Sequence, residues 1–306
     1  MSALRAFGVE ATPERPGPGE MPDALLRALE LTIGRRVDGL LAGDHRAAVL
    51  GRGSELAQVR PYVPGDDVRL MDWNVTARTR VPHVRIHLAE RVLVTWVVLD
   101  RTPSMAFGTA ERRKDDVALG VAVALGHAAS VRGNRVGMVA YGAGPALPLP
   151  PRQGRAGLVG VLLALQAGDA GGGVAPELAG ALETVAAVAR QRALVVVVSD
   201  FRGPVDWQPA LLELAGRHDV LAVEVRDPRE GWLEDVGEIW FADPENGERI
   251  RVDTSDARLR SRFAEAAAAE RRDVADALTR AGASHAVLST GGDWLRELAV
   301  HVRRLR

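Results

Sequence analysis

From residue 92 to the end of the chain, apolar runs of strand length alternate with segments of helical period. Val92–Asp100, Val136–Tyr141, Ala193–Ser199, Val220–Val225 and Ser284–Leu288 read as strands. Ala146–Leu149 reads as a short edge strand, where its proline is tolerated. Between them, Lys114–Val131, Arg155–Gln166, Pro176–Arg190, Trp207–Arg217, Ser255–Ala281 and Trp294–Arg306 carry apolar positions at helical spacing. Glu238–Val252 has the form of a hairpin around Asp243–Gly247. Strands that are apolar throughout and separated by helices predict a parallel sheet covered on both faces, an α/β fold.

The first 91 residues follow another pattern. Residues 1–22 hold prolines, glycines and acids with little periodicity and read as a flexible leader. Leu25, Leu26, Leu29, Ile33, Val37 and Leu40 fit one helix face, with Asp23 as N-cap. The remainder of 23–90 is rich in Gly, Arg and Asp with short extended pieces. The expected organisation is a leader, an N-terminal helix with a loop-rich segment to residue 90, and an α/β domain over 91–306.

Composition narrows the function. The chain has 306 residues, is 47% hydrophobic, and carries a formal net charge of −1. That balance argues against broad nucleic-acid binding. There is no cysteine, which excludes disulfides, thiol nucleophiles and zinc–cysteine sites. Lys114 is the sole lysine in a chain that otherwise uses arginine, a bias read as genome base composition. No basic stretch followed by an apolar run opens the chain, and the most apolar run is far short of the ~20 residues a membrane helix needs. The reading is a soluble, cytoplasmic protein without an integral membrane segment.

Two constellations carry candidate chemistry. In an open α/β sheet, ligands sit beyond the carboxyl ends of the strands where strand order reverses. If the order is the doubly wound 3-2-1-4-5-6, the strands ending in Asp100 and Asp200 are neighbours across that point. Asp100, Thr102, Ser104 and Asp200 would then converge, a set of hard oxygens suited to Mg²⁺. The plainer alternative is that Asp100 and Ser104 cap the following turn. The second constellation is the block Arg60, Tyr62, Asp66, Asp67, Arg69, Asp72, Trp73 and Arg78. It is either an ion-paired clasp or a docking surface anchored by Tyr62 and Trp73. His83 and His87 lie on an alternating segment; on a strand they stand ~13 Å apart and cannot share one ion. No phosphate-binding glycine loop, His-Glu-x-x-His or Gly-x-Ser-x-Gly occurs.

The run Gly51-x-Gly53, Arg60-x-Tyr62, Pro64-Gly65-Asp66-Asp67-x-Arg69, Asp72-Trp73-Asn74-x-Thr76-Ala77-Arg78, Glu90, Asp100-x-Thr102-x-Ser104-Met105 resembles the signature of the bacterial domain-of-unknown-function family fifty-eight. That resemblance implies a Rossmann-like, von Willebrand factor A-type domain with a metal-ion-dependent adhesion site. Asp100, Thr102 and Ser104 match its Asp-x-Ser-x-Ser element, and Asp200 its later acidic position. Pro176 stands where a further Thr ligand is usual, so the site is degenerate. The resemblance further implies a non-enzymatic adaptor that works with a MoxR-type AAA+ ATPase on client proteins, in a chaperone-like assembly or maturation role. No catalytic residue is assigned under this reading. The alternative is a Mg²⁺-dependent hydrolase or phosphatase using Asp100 and Asp200.

Overall fold

A computed structural model describes residues 17–28, 55–88, 94–131, 133–142, 148–154, 157, 160, 177–243 and 247–304. The chain divides into two units, one spanning Asp38–Val92 and the other Met1–Val37 with Leu93–Arg306.

In the smaller unit, β1 (Glu55–Pro61) and β2 (His83–Leu88) form an antiparallel pair, with an irregularity between Leu56 and Gln58. His83 and His87 are on β2, as the alternation predicts. Between the strands runs helix α1 (Trp73–Thr79), in a stretch that reads as loop from its composition. Asp72 starts it: Oδ1 accepts the backbone N–H groups of Asn74 and Val75 at 3.0 and 3.1 Å. Arg80 ends it in the left-handed region (φ 59°), its N–H donating to the Thr76 carbonyl.

The larger unit is built on a six-stranded sheet. Its strands are β3 (Val94–Asp100), β4 (Arg135–Tyr141), β5 (Pro148–Gln153), β6 (Leu194–Ser199), β7 (Asp219–Arg226) and, beyond a separate hairpin of β8 (Glu238–Ala242) and β9 (Arg249–Asp253), β10 (Ser284–Ser289). The order is β10-β7-β6-β3-β4-β5. Numbered within the sheet alone, that is the 3-2-1-4-5-6 order expected above, read from the other edge. All neighbours are parallel except β4 with β5. Pro148, Pro150 and Pro151 lie on β5, whose outer edge needs no ladder donors.

Helices cover both faces. Trp96, Val98, Val195, Val197 and Ala222 share one core with α3 (Leu178–Val188), α4 (Gln208–Arg217) and the C-terminal half of α5 (Ala257–Arg280). On the other face, α2 (Lys114–Val131) packs on β3, β4 and α6 (Trp294–Arg304). β6 is buried along its whole length, which explains its unbroken apolar run.

Several expectations are refined. Helix α3 begins at Leu178, and the segments around Pro176 and most of 155–166 lie outside the described residues. Of the N-terminal helix, residues 23–28 are described and helical; Pro22, rather than Asp23, supplies the capping carbonyl, accepting from Leu25 and Leu26. The expected leader is described from Gly17 onward, and there it is held: Gly17 N–H donates to Asp116 at 2.9 Å and Trp294 Nε1 donates to the Pro18 carbonyl at 2.9 Å. Gly120 permits this seat, since a Cβ there would meet the Trp294 ring at 2.4 Å.

Candidate functional site

β3 and β6 are adjacent and parallel, so Asp100 and the Ser199–Asp200 pair leave the sheet side by side at the reversal point. Both carboxylates are buried. Asp100 Oδ1 accepts from Thr102 N at 2.8 Å and Thr102 Oγ1 at 2.7 Å. The Thr102 hydroxyl lies 3.0 Å from Ser104 Oγ, and Ser104 in turn bonds the Asp200 carboxylate. A 3-10 turn, Pro103–Ala106, carries this loop, anchored by the fully buried Met105. The four residues singled out as candidate ligands thus form one connected cluster.

Ser199 bridges the two strand ends. Its hydroxyl donates to Asp100 Oδ2 at 2.5 Å and accepts from Phe201 N at 2.9 Å, with Tyr141 Oη at 3.1 Å. Phe201 has a φ of 53°, a costly conformation for a non-glycine residue. Its ring is buried edge-on to Trp207, 5.5 Å between centroids, which holds the turn that aims Asp200.

Asp200 meets a cation from within the protein. Lys114 opens α2, is 1% exposed, and places Nζ 2.6 Å from Asp200 Oδ2 and 2.7 Å from Glu230 Oε1. Its backbone N–H is tied to the Phe107 carbonyl at 2.9 Å. Asp200 Oδ1 accepts from Arg202 N at 3.1 Å. Glu230 also pairs with Arg202, which reaches on to Glu270.

The charges follow from these contacts. Burial, and then repulsion from Asp200, pushes the Asp100 carboxyl above its ordinary range. Burial also opposes ionisation of Asp200, but the Lys114 ammonium outweighs it and holds that carboxyl below its usual value. Burial pulls Lys114 down, yet the carboxylates of Asp200 and Glu230 together leave it above an ordinary lysine. Lys114 is therefore charged.

The donor chemistry, two carboxylates and two hydroxyls, is what Mg²⁺ prefers. The arrangement fits the ion poorly. Each carboxylate oxygen of Asp100 and Asp200 already accepts a hydrogen bond from the protein. The positive charge a metal would bring is present in Lys114. Among the described residues, no three His, Cys, Asp or Glu side chains are grouped as a metal centre.

Beside Asp200 an open cleft of about 340 Å³ runs between the carboxyl ends of β6 and β7 and helix α5. Arg202, Arg226 and Arg271 line it together with Glu224, Glu230 and Glu270. Glu224 is buried between Arg226 and His285.

The second candidate block, in the smaller unit, splits by residue. Arg60 grips Asp66 through two bonds of 2.8 and 2.7 Å, and Asp66 also accepts from Val63 N. Asp67 caps a short turn at Arg69 N, and Asp72 joins its cap to an ion pair with Arg85 at 2.9 Å. These are clasp contacts. Tyr62 is half-buried and fixed through its backbone to Pro82. Arg69 and Arg78 are exposed, and Trp73 is 69% exposed.

Lys114, Ser199, Tyr141 and Glu230 escaped the sequence reading. Ser199 and Tyr141 end apolar strands and look like boundary residues. Lys114 did carry a signal: a chain that writes arginine at every other such position keeps lysine once. Its compact ammonium is a point charge set between two carboxylates.

The described helices include none long and apolar enough to cross a membrane. A family profile described as "Protein of unknown function DUF58" matches residues 58–273. An uncharacterised protein of Mycobacterium tuberculosis is 43% identical over 284 residues, covering 92% of this chain and 89% of that protein. Among solved structures, the conserved hypothetical protein BatB from Bacteroides thetaiotaomicron aligns with 14% identity over 69% of this chain and 97% of that chain, at a TM-score of 0.45. A von Willebrand factor type A protein from Catenulispora acidiphila aligns with 14% identity over 74% of this chain and 43% of that chain, at a TM-score of 0.31.

Proposed function

We propose, from the premise that this chain belongs to the DUF58 family, that it is a non-enzymatic protein-interaction module whose partner is a MoxR-type AAA+ ATPase acting on client proteins. One observation carries the non-enzymatic reading: the polar groups at the strand-order reversal are spent on one another. A nucleophile or general base needs an accessible atom within reach of substrate. Asp100 and Asp200 are buried, and each of their oxygens accepts a hydrogen bond from the protein. Lys114 cannot grip a phosphate, because it is enclosed by two carboxylates.

What remains open to a partner is polar and charged. The cleft beside Asp200 offers arginines and glutamates of both signs, a surface that suits charged side chains of another protein. The exposed Trp73 in the smaller unit is the kind of aromatic anchor that interfaces favour.

The test is retention of a partner by the tagged full chain from native lysate, with ATP present. An AAA+ ATPase retained by the unmodified chain, and lost with Trp73→Ala or Arg271→Glu, supports the proposal. Failure to retain one in any nucleotide state removes its main support. Turnover of phosphoesters or nucleotides that vanishes with Asp100→Ala would replace it with the hydrolase reading.

A further inference from the structure

We propose that Lys114 is a resident cation: its ammonium supplies the charge and holds the place of a divalent ion at the Asp100–Asp200 crevice, which is therefore complete without bound metal. Only the consequence for partner binding rests on the interaction reading above.

Three observations converge on this. The first is position. Lys114 Nζ sits 2.6 Å from Asp200 and 2.7 Å from Glu230, and Asp200 joins it through Ser104 to the cluster of Asp100 and Thr102. The second is saturation. Asp100 takes Thr102 N, Thr102 Oγ1 and Ser199 Oγ, while Asp200 takes Lys114 Nζ and Arg202 N. A divalent ion would have to compete with these donors at both carboxylates and then sit beside an ammonium of like charge. The third is construction. The loop that presents Thr102 and Ser104 also delivers Lys114, closed by the bond from its N–H to Phe107 O. The ammonium lies 5.9 Å above the Phe107 ring, and the side chain is 1% exposed, so water does not compete for its protons.

The choice of residue supports the same reading. Every other basic residue that carries a permanent charge in this chain is arginine. Lysine's head is a compact point charge with three donors, closer to a metal ion in shape than a planar fork is. With Asp200 and Glu230 as two of its partners, it neutralises what an ion would otherwise neutralise.

The probe is the metal alone. The full chain is titrated with Mn²⁺ and followed by the spin-resonance signal of the free ion, and its melting temperature is compared in chelator and in excess Mg²⁺. The expected result for the unmodified chain is an undiminished free-ion signal and the same melting temperature in both buffers. Lys114→Ala opens the position, and its melting temperature should rise in Mg²⁺ or Mn²⁺ by ligand linkage. Lys114→Arg keeps the charge and should stay indifferent to metal.

Saturable Mn²⁺ binding by the unmodified chain that Asp100→Ala abolishes would overturn the proposal. So would a folded Lys114→Ala that is as indifferent to metal as the parent, since the ammonium would then not stand in an ion's place. If Lys114→Ala does not fold in any buffer, the titrations of the unmodified chain and of Lys114→Arg decide. Retention of an AAA+ ATPase in chelator would extend the claim to partner binding. Absence of any retained ATPase bears on the proposed function, and leaves the metal titration to stand or fall by itself.

Discussion

Asp72 and Trp73 are neighbours in sequence and opposite in role. Asp72 is buried, caps two N–H groups of α1 and pairs with Arg85 on β2, whereas Trp73 points its ring into solvent. Asp72→Ala should therefore lower the urea midpoint of the fold, and Trp73→Ala should leave it unchanged while reducing partner retention. A destabilised Trp73→Ala would place that ring in a core and remove it as an anchor. Asp227 gives a second residue-scale test, in the larger unit. Its carboxylate accepts from Thr109 N, Thr109 Oγ1, Thr290 Oγ1 and Arg229 N at 2.6 to 2.9 Å, tying the turn after β7 to the loop that precedes α2 and to the end of β10. Asp227→Ala should cost on the order of 3 kcal/mol, because four donors lose their acceptor. Burial works against its ionisation, but those bonds prevail and hold the carboxyl below the ordinary range. A lowered folded pKa adds stability that is complete above the unfolded value and is lost as pH falls through the folded one. Acid unfolding midpoints should show Asp227→Asn losing less stability on acidification than the parent. Asp72 and Trp73 stood out in the sequence as clasp and anchor candidates, but the Asp227 network did not, and the lone lysine stood out there without its task. The partners of Lys114 lie 86 and 116 positions away, and no local pattern announces them.

Elements were more legible than their contacts. β6 reads as a buried strand because both its faces are covered, so each of its positions is apolar. The same logic located β3, β4, β7 and β10, and the strand order followed from the doubly wound pattern. Helix α1 was missed because its stop is made by Arg80 in a left-handed conformation rather than by glycine. The turn after β4 is a testable case of an element set by one residue. Gly142 has a φ of +89°, and a Cβ there would lie 2.5 Å from Thr102 N and 2.8 Å from Thr102 Cα. Gly203 shares the positive φ (+95°) but faces open space. Gly203→Ala should cost about 1–2 kcal/mol from its backbone alone. Gly142→Ala should cost about 2–4 kcal/mol, the excess arising from displacement of the loop that carries Thr102 and Ser104. Equal urea midpoints for the two variants would mean that this loop yields freely, and that Thr102 is not held where the cluster needs it.

At the scale of the whole molecule, the two units differ in how much they bury. In the larger unit, β3, β6 and β7 are almost wholly buried, and the core on one sheet face runs from Trp96 to Ala281. In the smaller unit, Val84 is the one buried apolar side chain among the residues whose side chains are described, beside the buried Asp72. Val63, Val68, Trp73 and Val81 are all exposed. Among its described residues, that unit is held chiefly by the β1–β2 ladder and by ion pairs, which add little where water reaches them. Its opening should therefore require less free energy than unfolding of the sheet. Native-state hydrogen exchange gives the measurement. Amides of β6, with neighbours on both sides, should exchange only through global unfolding. Amides of the hairpin, including Tyr62 N–H to the Pro82 carbonyl, should exchange through an opening at least about 2 kcal/mol less costly. Protection of the hairpin equal to that of β6 would make the chain a single cooperative block. Segments that move on binding are drawn from the less stable end of a structure. The expected difference would therefore mark the unit bearing Trp73 as the part able to adjust to a partner, while the crevice at Asp100 and Asp200 stays fixed by its own ammonium.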